Sequence, residues 1–229
     1  MMDIPVVTSG DARIPAVGLG TWDLRRRTCA RVVEQALRLG YRHIDTAEMY
    51  GNEREVGEGL RASGINRNDV FITTKVWPDN LAPADLERST KESLARLRLS
   101  HVDLLLIHWP SQRIPLPDTI GALCRMKQAG FARHVGISNF TVPLVEEAVK
   151  LSAEPLVTNQ IEWHPYLDQS TTRPRRLASL RISSISGASS AKSKIDMFSS
   201  RRSSLEVRGI TMAPSWMRKR KLTCPAVLW

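Results

Sequence analysis

Short apolar runs alternate with stretches of helical periodicity along residues 1–170, and the alternation repeats about every 30 residues. The runs are nearly continuous in apolar character, which is typical of parallel strands that are buried on both faces. Right-handed crossovers between such strands give either a barrel or a doubly wound sheet, so the pattern predicts an α/β fold. The predicted strands are 16–19, 42–45, 70–75, 102–108, 134–138 and 156–160.

Glycines mark the ends of three predicted helices. Apolar residues at helical spacing precede Gly40, Gly64 and Gly130. A glycine just past the last periodic residue adopts the left-handed conformation that ends many helices, so the sequence predicts these boundaries to within a few residues. The apolar faces consist of Val32, Val33, Ala36 and Leu37, then Val56 and Leu60, then Ile120, Leu123 and Cys124.

Polar residues stand at the carboxyl ends of successive predicted strands. They are separated by 30, 33, 31 and 21 positions and are Asp45, Lys75, His108, Asn139 and Gln160. In a parallel barrel these strand ends meet at one face, where active sites lie, so we expect the side chains around one pocket. Four tryptophans also come within a few residues after the ends of predicted strands, namely Trp22, Trp77, Trp109 and Trp163. Each alone fits packing at the barrel rim, but together they indicate an apolar pocket mouth.

The net charge of +10 belongs to the last part of the chain. Residues 171–229 contain 13 basic and 2 acidic residues together with 12 serines, whereas residues 1–170 contain 20 basic and 21 acidic residues. The sequence therefore predicts two unlike regions, a barrel-like domain over 1–170 and a basic Ser/Arg-rich tail over 171–229.

Several protein classes are excluded by composition. The three cysteines, Cys29, Cys124 and Cys224, are far apart, which argues against a disulfide framework or a zinc site. No apolar stretch approaches the roughly 20 residues of a membrane-spanning helix. The first residues lack the basic and apolar regions of a secretory signal, so we expect a cytoplasmic protein.

Asp45, Tyr50, Lys75 and His108 suit the transfer of one proton in concert with a hydride. A free tyrosine has a pKa of about 10, and an adjacent ammonium lowers it, so we expect Lys75 to make Tyr50 a usable acid. Asp45 would keep Lys75 charged, and His108 would orient a carbonyl group. Spacing alone supports equally well a structural ion pair and a strand-end histidine without a chemical role.

Two long motifs carry a family resemblance. One runs Gly40-Tyr41-Arg42-His43-Ile44-Asp45-Thr46-Ala47 and continues through Tyr50, Asn52, Glu53 and Val56 to Gly57. The other runs from Leu94 through Leu97, Val102, Asp103 and Leu104 to His108-Trp109-Pro110. Through them the chain resembles the aldo-keto reductase family over residues 5–170, and within it the compact bacterial branch of diketogluconate and glyoxal reductases. The resemblance implies a (β/α)8 TIM-type barrel with an N-terminal hairpin, here 6–8 with 14–16, that reduces an aldehyde, ketone or keto-sugar with NADPH.

The resemblance also implies roles position by position. Tyr50 matches the general acid, Lys75 and Asp45 the pair that tunes it, and His108 the group that orients the carbonyl. The implied cofactor-binding residues are Gly20, Thr21 and Trp22 beside the nicotinamide ribose, Ser138, Asn139 and Gln160 at the nicotinamide carboxamide, and also Asp45. The implied substrate pocket is lined by Trp22, Tyr50, Trp77, His108 and Trp109.

The family pattern ends near residue 170. About six of the eight barrel strands are recognisable, and the 59 residues that follow are too few for a helix and two further βα units. Serine and arginine enrichment that begins at one point is typical of out-of-frame translation of a GC-rich gene. We therefore predict that residues from about 171 onward come from a frameshift, either genuine or a sequencing error. An incomplete barrel would have open edges at its first and sixth strands, so we expect the chain to be aggregation-prone or only partly ordered, and weak or inactive as a reductase.

The expected partner is a small carbonyl substrate, with no metal, no membrane and no nucleic acid, and a monomer if the chain folds. The alternative is a non-catalytic half-barrel that serves as an interaction scaffold. In that hypothesis the tail, with its Arg218-Lys219-Arg220-Lys221 cluster, binds anions or nucleic acid. Salt-sensitive binding by the tail would support it.

Overall fold

The structure is a computed structural model that describes residues 4–162 and 226–228. Its strands in these ranges are β1 (Val6–Ser9), β2 (Ala12–Pro15), β3 (Val17–Gly20), β4 (His43–Asp45), β5 (Phe71–Val76), β6 (Val102–Ile107), β7 (Ala132–Ser138), β8 (Leu156–Gln160) and β9 (Ala226–Leu228). Its helices are α1 (Arg26–Arg38), α2 (Glu53–Ser63), α3 (Pro83–Leu97), α4 (Leu116–Gln128) and α5 (Val142–Leu151). Short 3-10 turns cover Glu48–Tyr50, Arg67–Asp69 and Pro78–Asn80.

The six strands β3 to β8 form one parallel sheet in which each strand pairs with its neighbour in sequence. A helix connects each strand to the next. A doubly wound sheet reverses its strand order at one point, whereas this order runs in one direction like part of a barrel wall. The α/β fold with six recognisable barrel strands is therefore confirmed. The predicted strand positions agree with the observed ones to within one or two residues.

The N-terminal hairpin is also confirmed. β1 and β2 pair antiparallel, with Ser9 opposite Ala12 across the turn. The hairpin side chains Ala12 and Ile14 are buried in a cluster with Leu104, Leu106 and Val157. This cluster is separate from the larger core, in which the opposite faces of the strands pack against the helices. The hairpin therefore closes the interior side of the sheet.

The helix ends lie where the glycines predicted them. Gly64 caps α2 in the left-handed conformation with φ 71°, and Gly130 follows α4 with φ 77°. Another glycine, Gly57, allows a close approach, because a Cβ atom there would lie 2.3 Å from the carbonyl oxygen of Leu97. The first half of α2 can thereby pack closely against the end of α3.

The edge of the sheet at β3 is occupied by β9, which pairs antiparallel with it and places Val227 opposite Gly18. The prediction of an open edge at the first parallel strand is wrong, since a strand from the end of the sequence covers it. The other predictions for residues 171–225, including the basic cluster, lie outside the described residues. None of the helices in the described ranges combines the length and apolar character that crossing a bilayer requires.

Candidate active site

The structure brings together the four residues that the sequence singled out as Asp45, Tyr50, Lys75 and His108. Asp45 ends β4, Lys75 lies in β5, His108 follows β6, and Tyr50 ends the turn after β4. The Lys75 Nζ atom lies 2.5 Å from Asp45 Oδ1 and 3.4 Å from the Tyr50 hydroxyl oxygen. The rings of Tyr50 and His108 meet edge to face with their centroids 5.6 Å apart. A proton donor, a cation, a carboxylate and an imidazole thus share one location at the carboxyl ends of the strands.

The ion pair between Asp45 and Lys75 is almost completely dry, because the two side chains are only 3% and 2% exposed. Lys75 also donates to the Thr46 carbonyl oxygen at 3.0 Å, and Gln160 Nε2 donates to Asp45 Oδ2 at 3.1 Å. Burial by itself lowers the pKa of Lys75, but Asp45 and Tyr50 together raise it by more, so its net pKa lies above the usual value. Lys75 is therefore an ammonium at neutral pH.

The hydroxyl of Tyr50 is affected by two opposing influences. Burial raises the pKa of Tyr50, and the nearby Lys75 ammonium lowers it by less, so the net pKa lies above 10. The prediction of a lowered pKa is therefore wrong, since the desolvation of the phenolate outweighs the ammonium. Tyr50 is protonated at neutral pH and can donate a proton, while Lys75 stabilises the phenolate that would remain.

His108 is a neutral imidazole at this location. It is 7% exposed, and burial together with the charge of Lys75 lowers its pKa to about 4. Its Nδ1 atom is buried and has no hydrogen-bond partner among the described residues. An unpaired buried N–H is rarer in native structures than an unpaired acceptor, so we place the proton on Nε2. In this tautomer His108 can donate one hydrogen bond.

The turn that carries Tyr50 is held by residues to which the sequence analysis gave no role. Gly51 ends this turn in the left-handed conformation, with φ 64°. Asn52 accepts from Thr46 Oγ1 at 2.9 Å and donates to the carbonyl oxygens of Thr21 and Leu24 at 2.8 and 3.1 Å. The available signal was the polar pair Asn52-Glu53, which comes directly after the glycine that follows Tyr50.

A second anchor of this turn is Glu53, whose side chain is fully buried. It accepts from Thr74 Oγ1 at 2.5 Å and from Arg96 Nε at 2.7 Å, which joins α2 to β5 and α3. A buried carboxylate is tolerated where its oxygens are paired and hydrogen-bonded, as they are here. Glu53 therefore supports the same turn from the side of the helices.

Two of the four predicted tryptophans contact the four residues. The Trp22 ring meets Tyr50 edge-on at 5.0 Å, and the Trp77 ring meets His108 edge-on at 5.2 Å. Trp22 and Trp109 remain 45% and 47% exposed. Trp163 lies outside the described residues. The described part of the mouth therefore offers partly exposed indole rings next to the phenol and the imidazole.

The predicted cofactor-binding residues divide into two groups. Gly20 ends β3, and Thr21 donates to the Asp45 carbonyl oxygen from both its backbone nitrogen and its hydroxyl, at 2.9 and 3.0 Å. Thr21 is therefore occupied in joining the loop after β3 to β4.

Ser138, Asn139 and Gln160 form the second group, at the ends of β7 and β8. Asn139 has a left-handed backbone with φ 63°, and its amide donates to the His108 carbonyl oxygen at 2.9 Å and to Ser138 Oγ at 3.0 Å. Gln160 contacts Asp45 directly, and its backbone carbonyl oxygen accepts from the Asn139 N–H at 2.9 Å. No group of three or more potential metal-ligating side chains occurs in the described part of the chain.

Comparison with known proteins agrees with this geometry. The model of the "Aldo/keto reductase family" matches residues 16–180. The chain is 48% identical over 157 residues to a methylglyoxal reductase DkgB of Salmonella typhi, an alignment that covers 67% of this chain and 59% of the relative. The chain thus spans about 59% of the length of the curated relatives that it matches first.

Solved structures show the same relationship. One that carries a provisional assignment as 2,5-diketo-D-gluconic acid reductase B is 52% identical, with a TM-score of 0.71, and covers 73% of this chain and 60% of its own. A Bombyx mori aldo-keto reductase in complex with NADP is 32% identical, with a TM-score of 0.70. The match covers 75% of this chain and 62% of the Bombyx mori chain. The sequence motifs, the order of the strands and these matches agree, and this chain belongs to the aldo/keto reductase family.

Proposed function

We propose that this chain reduces a carbonyl compound to the alcohol with NADPH, and that Tyr50 is the proton donor. The observation that carries the proposal is the buried series in which Asp45 lies 2.5 Å from Lys75 and Lys75 lies 3.4 Å from the Tyr50 hydroxyl. A structural ion pair needs no titratable hydroxyl at its end. The phenol, by contrast, becomes a more effective acid when an ammonium is ready to stabilise its conjugate base.

The residues at the ends of β7 and β8 fit the nicotinamide end of a dinucleotide. A carboxamide offers one acceptor and two N–H donors, and the hydroxyl of Ser138 and the amides of Asn139 and Gln160 supply both complementary types. Both amides are already oriented by protein contacts. The Asn139 amide donates to the His108 carbonyl oxygen, and the Gln160 amide donates to Asp45. When bound, the cofactor would supply a hydride for the carbonyl carbon.

The protein's own contribution is to orient the carbonyl and to deliver the proton. His108 Nε2–H and the Tyr50 hydroxyl both donate toward the substrate oxygen, so the carbonyl is held between them. As the carbon receives a hydride, the oxygen takes the proton of Tyr50, and Lys75 stabilises the phenolate. Asp45 keeps Lys75 in place and compensates its charge, so no net charge has to enter the interior.

The relatives suggest the substrate class. The Salmonella typhi relative is named a methylglyoxal reductase, and the structure 52% identical to this chain is assigned to a diketo-gluconic acid reductase. Methylglyoxal and diketogluconate both carry more than one carbonyl group. We propose small dicarbonyl compounds and keto-sugars as substrates, with Trp22, Trp77 and Trp109 as the pocket walls.

Cofactor binding and turnover of the full chain test the proposal together. We would titrate NADPH against tryptophan fluorescence and follow NADPH consumption with methylglyoxal, for the wild type and for Tyr50→Phe. We expect saturable binding in both proteins and a rate of turnover that is about 10²–10⁴ lower in the variant. Tyr41→Phe is the matched control and should keep the wild-type rate. Binding without any wild-type turnover, or equal rates in the wild type and Tyr50→Phe, would contradict the proposal.

A further inference from the structure

Glu48 is a carboxylate outside the set described above, and it joins three segments next to that set. Its Oε1 atom accepts from the backbone N–H of Trp77 and from Asn80 Nδ2, the latter at 3.1 Å. Its Oε2 atom accepts a hydrogen bond from the Ser89 hydroxyl. The three donors come from the residue after β5, from the 3-10 turn that follows it, and from α3. Glu48 itself lies in the turn that ends at Tyr50.

The chemistry of this contact favours a fixed arrangement. An ionised carboxylate only accepts hydrogen bonds, and charge-assisted bonds to it are roughly twice as strong as neutral ones. Here both oxygens are used, and the partners approach from different segments. A movement of the Tyr50 turn relative to the segment after β5 would therefore break more than one strong bond at once.

Two of the segments that Glu48 joins carry walls of the proposed substrate pocket, because the Tyr50 and Trp77 rings each meet the His108 ring. Tyr50 stands two residues after Glu48, and Trp77 donates to Glu48 from its own backbone. The Trp77 ring in turn meets the His108 ring edge-on. The other anchors of the turn, Asn52 and Glu53, bind the loop after β3, β5 and α3, and neither side chain bonds the Trp77 backbone.

We propose that Glu48 is a positioning residue that sets the distance between the Tyr50 hydroxyl and the Trp77 indole, and so the width of the substrate slot. This inference rests on the proposed reductase function for its kinetic meaning. The structural link itself does not depend on turnover, so the two can be tested separately.

The variants Glu48→Ala and Glu48→Gln distinguish positioning from charge. Alanine removes all three bonds, whereas the glutamine oxygen still accepts from the Trp77 N–H and its amide can bond Ser89. Glu58 is the matched control, because it is an exposed carboxylate on α2 with no hydrogen-bond or ion-pair partner among the described residues. Glu58→Ala should behave like the wild type in every measurement.

The first readout is fluorine NMR of the full chain labelled with fluorotryptophan, with the Trp77 signal assigned by its loss in Trp77→Phe. We expect Glu48→Ala to shift or broaden the Trp77 signal, Glu48→Gln to restore it, and Glu58→Ala to leave it unchanged. A Trp77 signal that is unchanged in Glu48→Ala overturns the inference, whether or not the protein turns over substrate.

The second readout is steady-state kinetics. In Glu48→Ala we expect kcat/KM for the carbonyl substrate to fall on the order of tenfold to a hundredfold, because misplacement by about 1 Å costs this much. The KM for NADPH should stay at its wild-type value, and Glu48→Gln should recover most of the loss. A lower melting temperature with unchanged KM and kcat would indicate a purely structural role and would overturn the inference. If the wild type shows no turnover, the reductase proposal fails, and the fluorine signal alone decides the role of Glu48.

Discussion

The two ends of the parallel sheet each hold a buried carboxylate that is paired with basic side chains. At the carboxyl ends of the strands this is Asp45 with Lys75. At the opposite end it is Asp103, which accepts from Arg67 at 2.7 Å, from Arg133 at 3.0 Å and from the Ile72 backbone N–H at 2.9 Å. The side chains of Asp45 and Asp103 are 3% and 5% exposed, so burial does not distinguish them.

The two pairs differ in the surroundings of their basic side chains and in the groups that those side chains contact next. The arginines of Asp103 extend toward the surface, where their side chains are 21% and 45% exposed, and their bonds tie strand beginnings together. Lys75 is enclosed and continues to the Tyr50 hydroxyl. A perturbed or buried charge pair marks a candidate active site only when it leads to a group that can react, since structural pairs shift pKa values as well.

Removing the cation at the carboxyl end should have the largest effect. Lys75→Met leaves Asp45 as an unpaired buried charge, so we expect a loss of about 3–5 kcal/mol in the free energy of unfolding together with the loss of turnover. Urea unfolding and an NADPH-consumption assay measure the two effects. The control is Lys91→Met, which breaks an exposed pair with Glu87 and should leave the stability close to that of the wild type. Equal stability of the two variants would remove the contrast between an enclosed and an exposed pair.

At the opposite end, Asp103→Asn should affect stability alone. We expect the free energy of unfolding to fall by about 1–3 kcal/mol, because buried N–H groups lose a charged acceptor. The partly exposed arginines can turn to water, which keeps the loss below that of Lys75→Met. Because Asp103 contacts none of the four residues at the other end, kcat and KM should keep their wild-type values. A loss of turnover as large as that of Asp45→Asn would show that the two ends are not independent.

Low pH should destabilise the folded state mainly through protonation of the buried histidines. Burial lowers the pKa values of His43 and His108 to about 4, whereas in the unfolded chain these groups take protons near pH 6.5. The unfolded state therefore binds more protons between these values, so stability is complete above about pH 6.5 and is lost as the pH falls toward about 4. A fully buried imidazole contributes roughly 1.4 kcal/mol of this loss per pH unit.

Urea midpoints measured across that pH range test this expectation. His108→Gln should show a shallower decline than the wild type, because one of the two interior imidazoles is gone. His101 lies near Arg67 at the opposite end and is more exposed to solvent, so His101→Gln should follow the wild type closely. A decline of the same slope in the wild type and His108→Gln would assign the acid sensitivity to other groups.

The sequence predicted which residues meet at the site, but it did not predict the direction of the Tyr50 pKa shift. Asp45, Lys75 and His108 could be placed together because parallel strands bring their carboxyl ends to one face. The bond from Gln160 to Asp45 could not be read from a spacing of 115 residues, since it depends on how far the sheet curls. The direction of the Tyr50 pKa shift could not be predicted either, because it depends on the balance between burial of the hydroxyl and the charge of the nearby Lys75 ammonium. Glu48 was missed because its partners lie on segments without a shared period.

The pairing of β9 with β3 has a consequence for how the chain folds while it is being synthesised on the ribosome. Each parallel pairing joins neighbouring βα units, but β9 is synthesised about 200 residues after β3. At translation rates of about 5–20 residues per second, the edge of β3 waits roughly 10–40 s for its own partner strand. During that interval its unpaired N–H and C=O groups can recruit strands from other nascent chains. The yield of native protein should therefore depend on the density of ribosomes on the message, and sparse translation should favour self-pairing over assembly between chains.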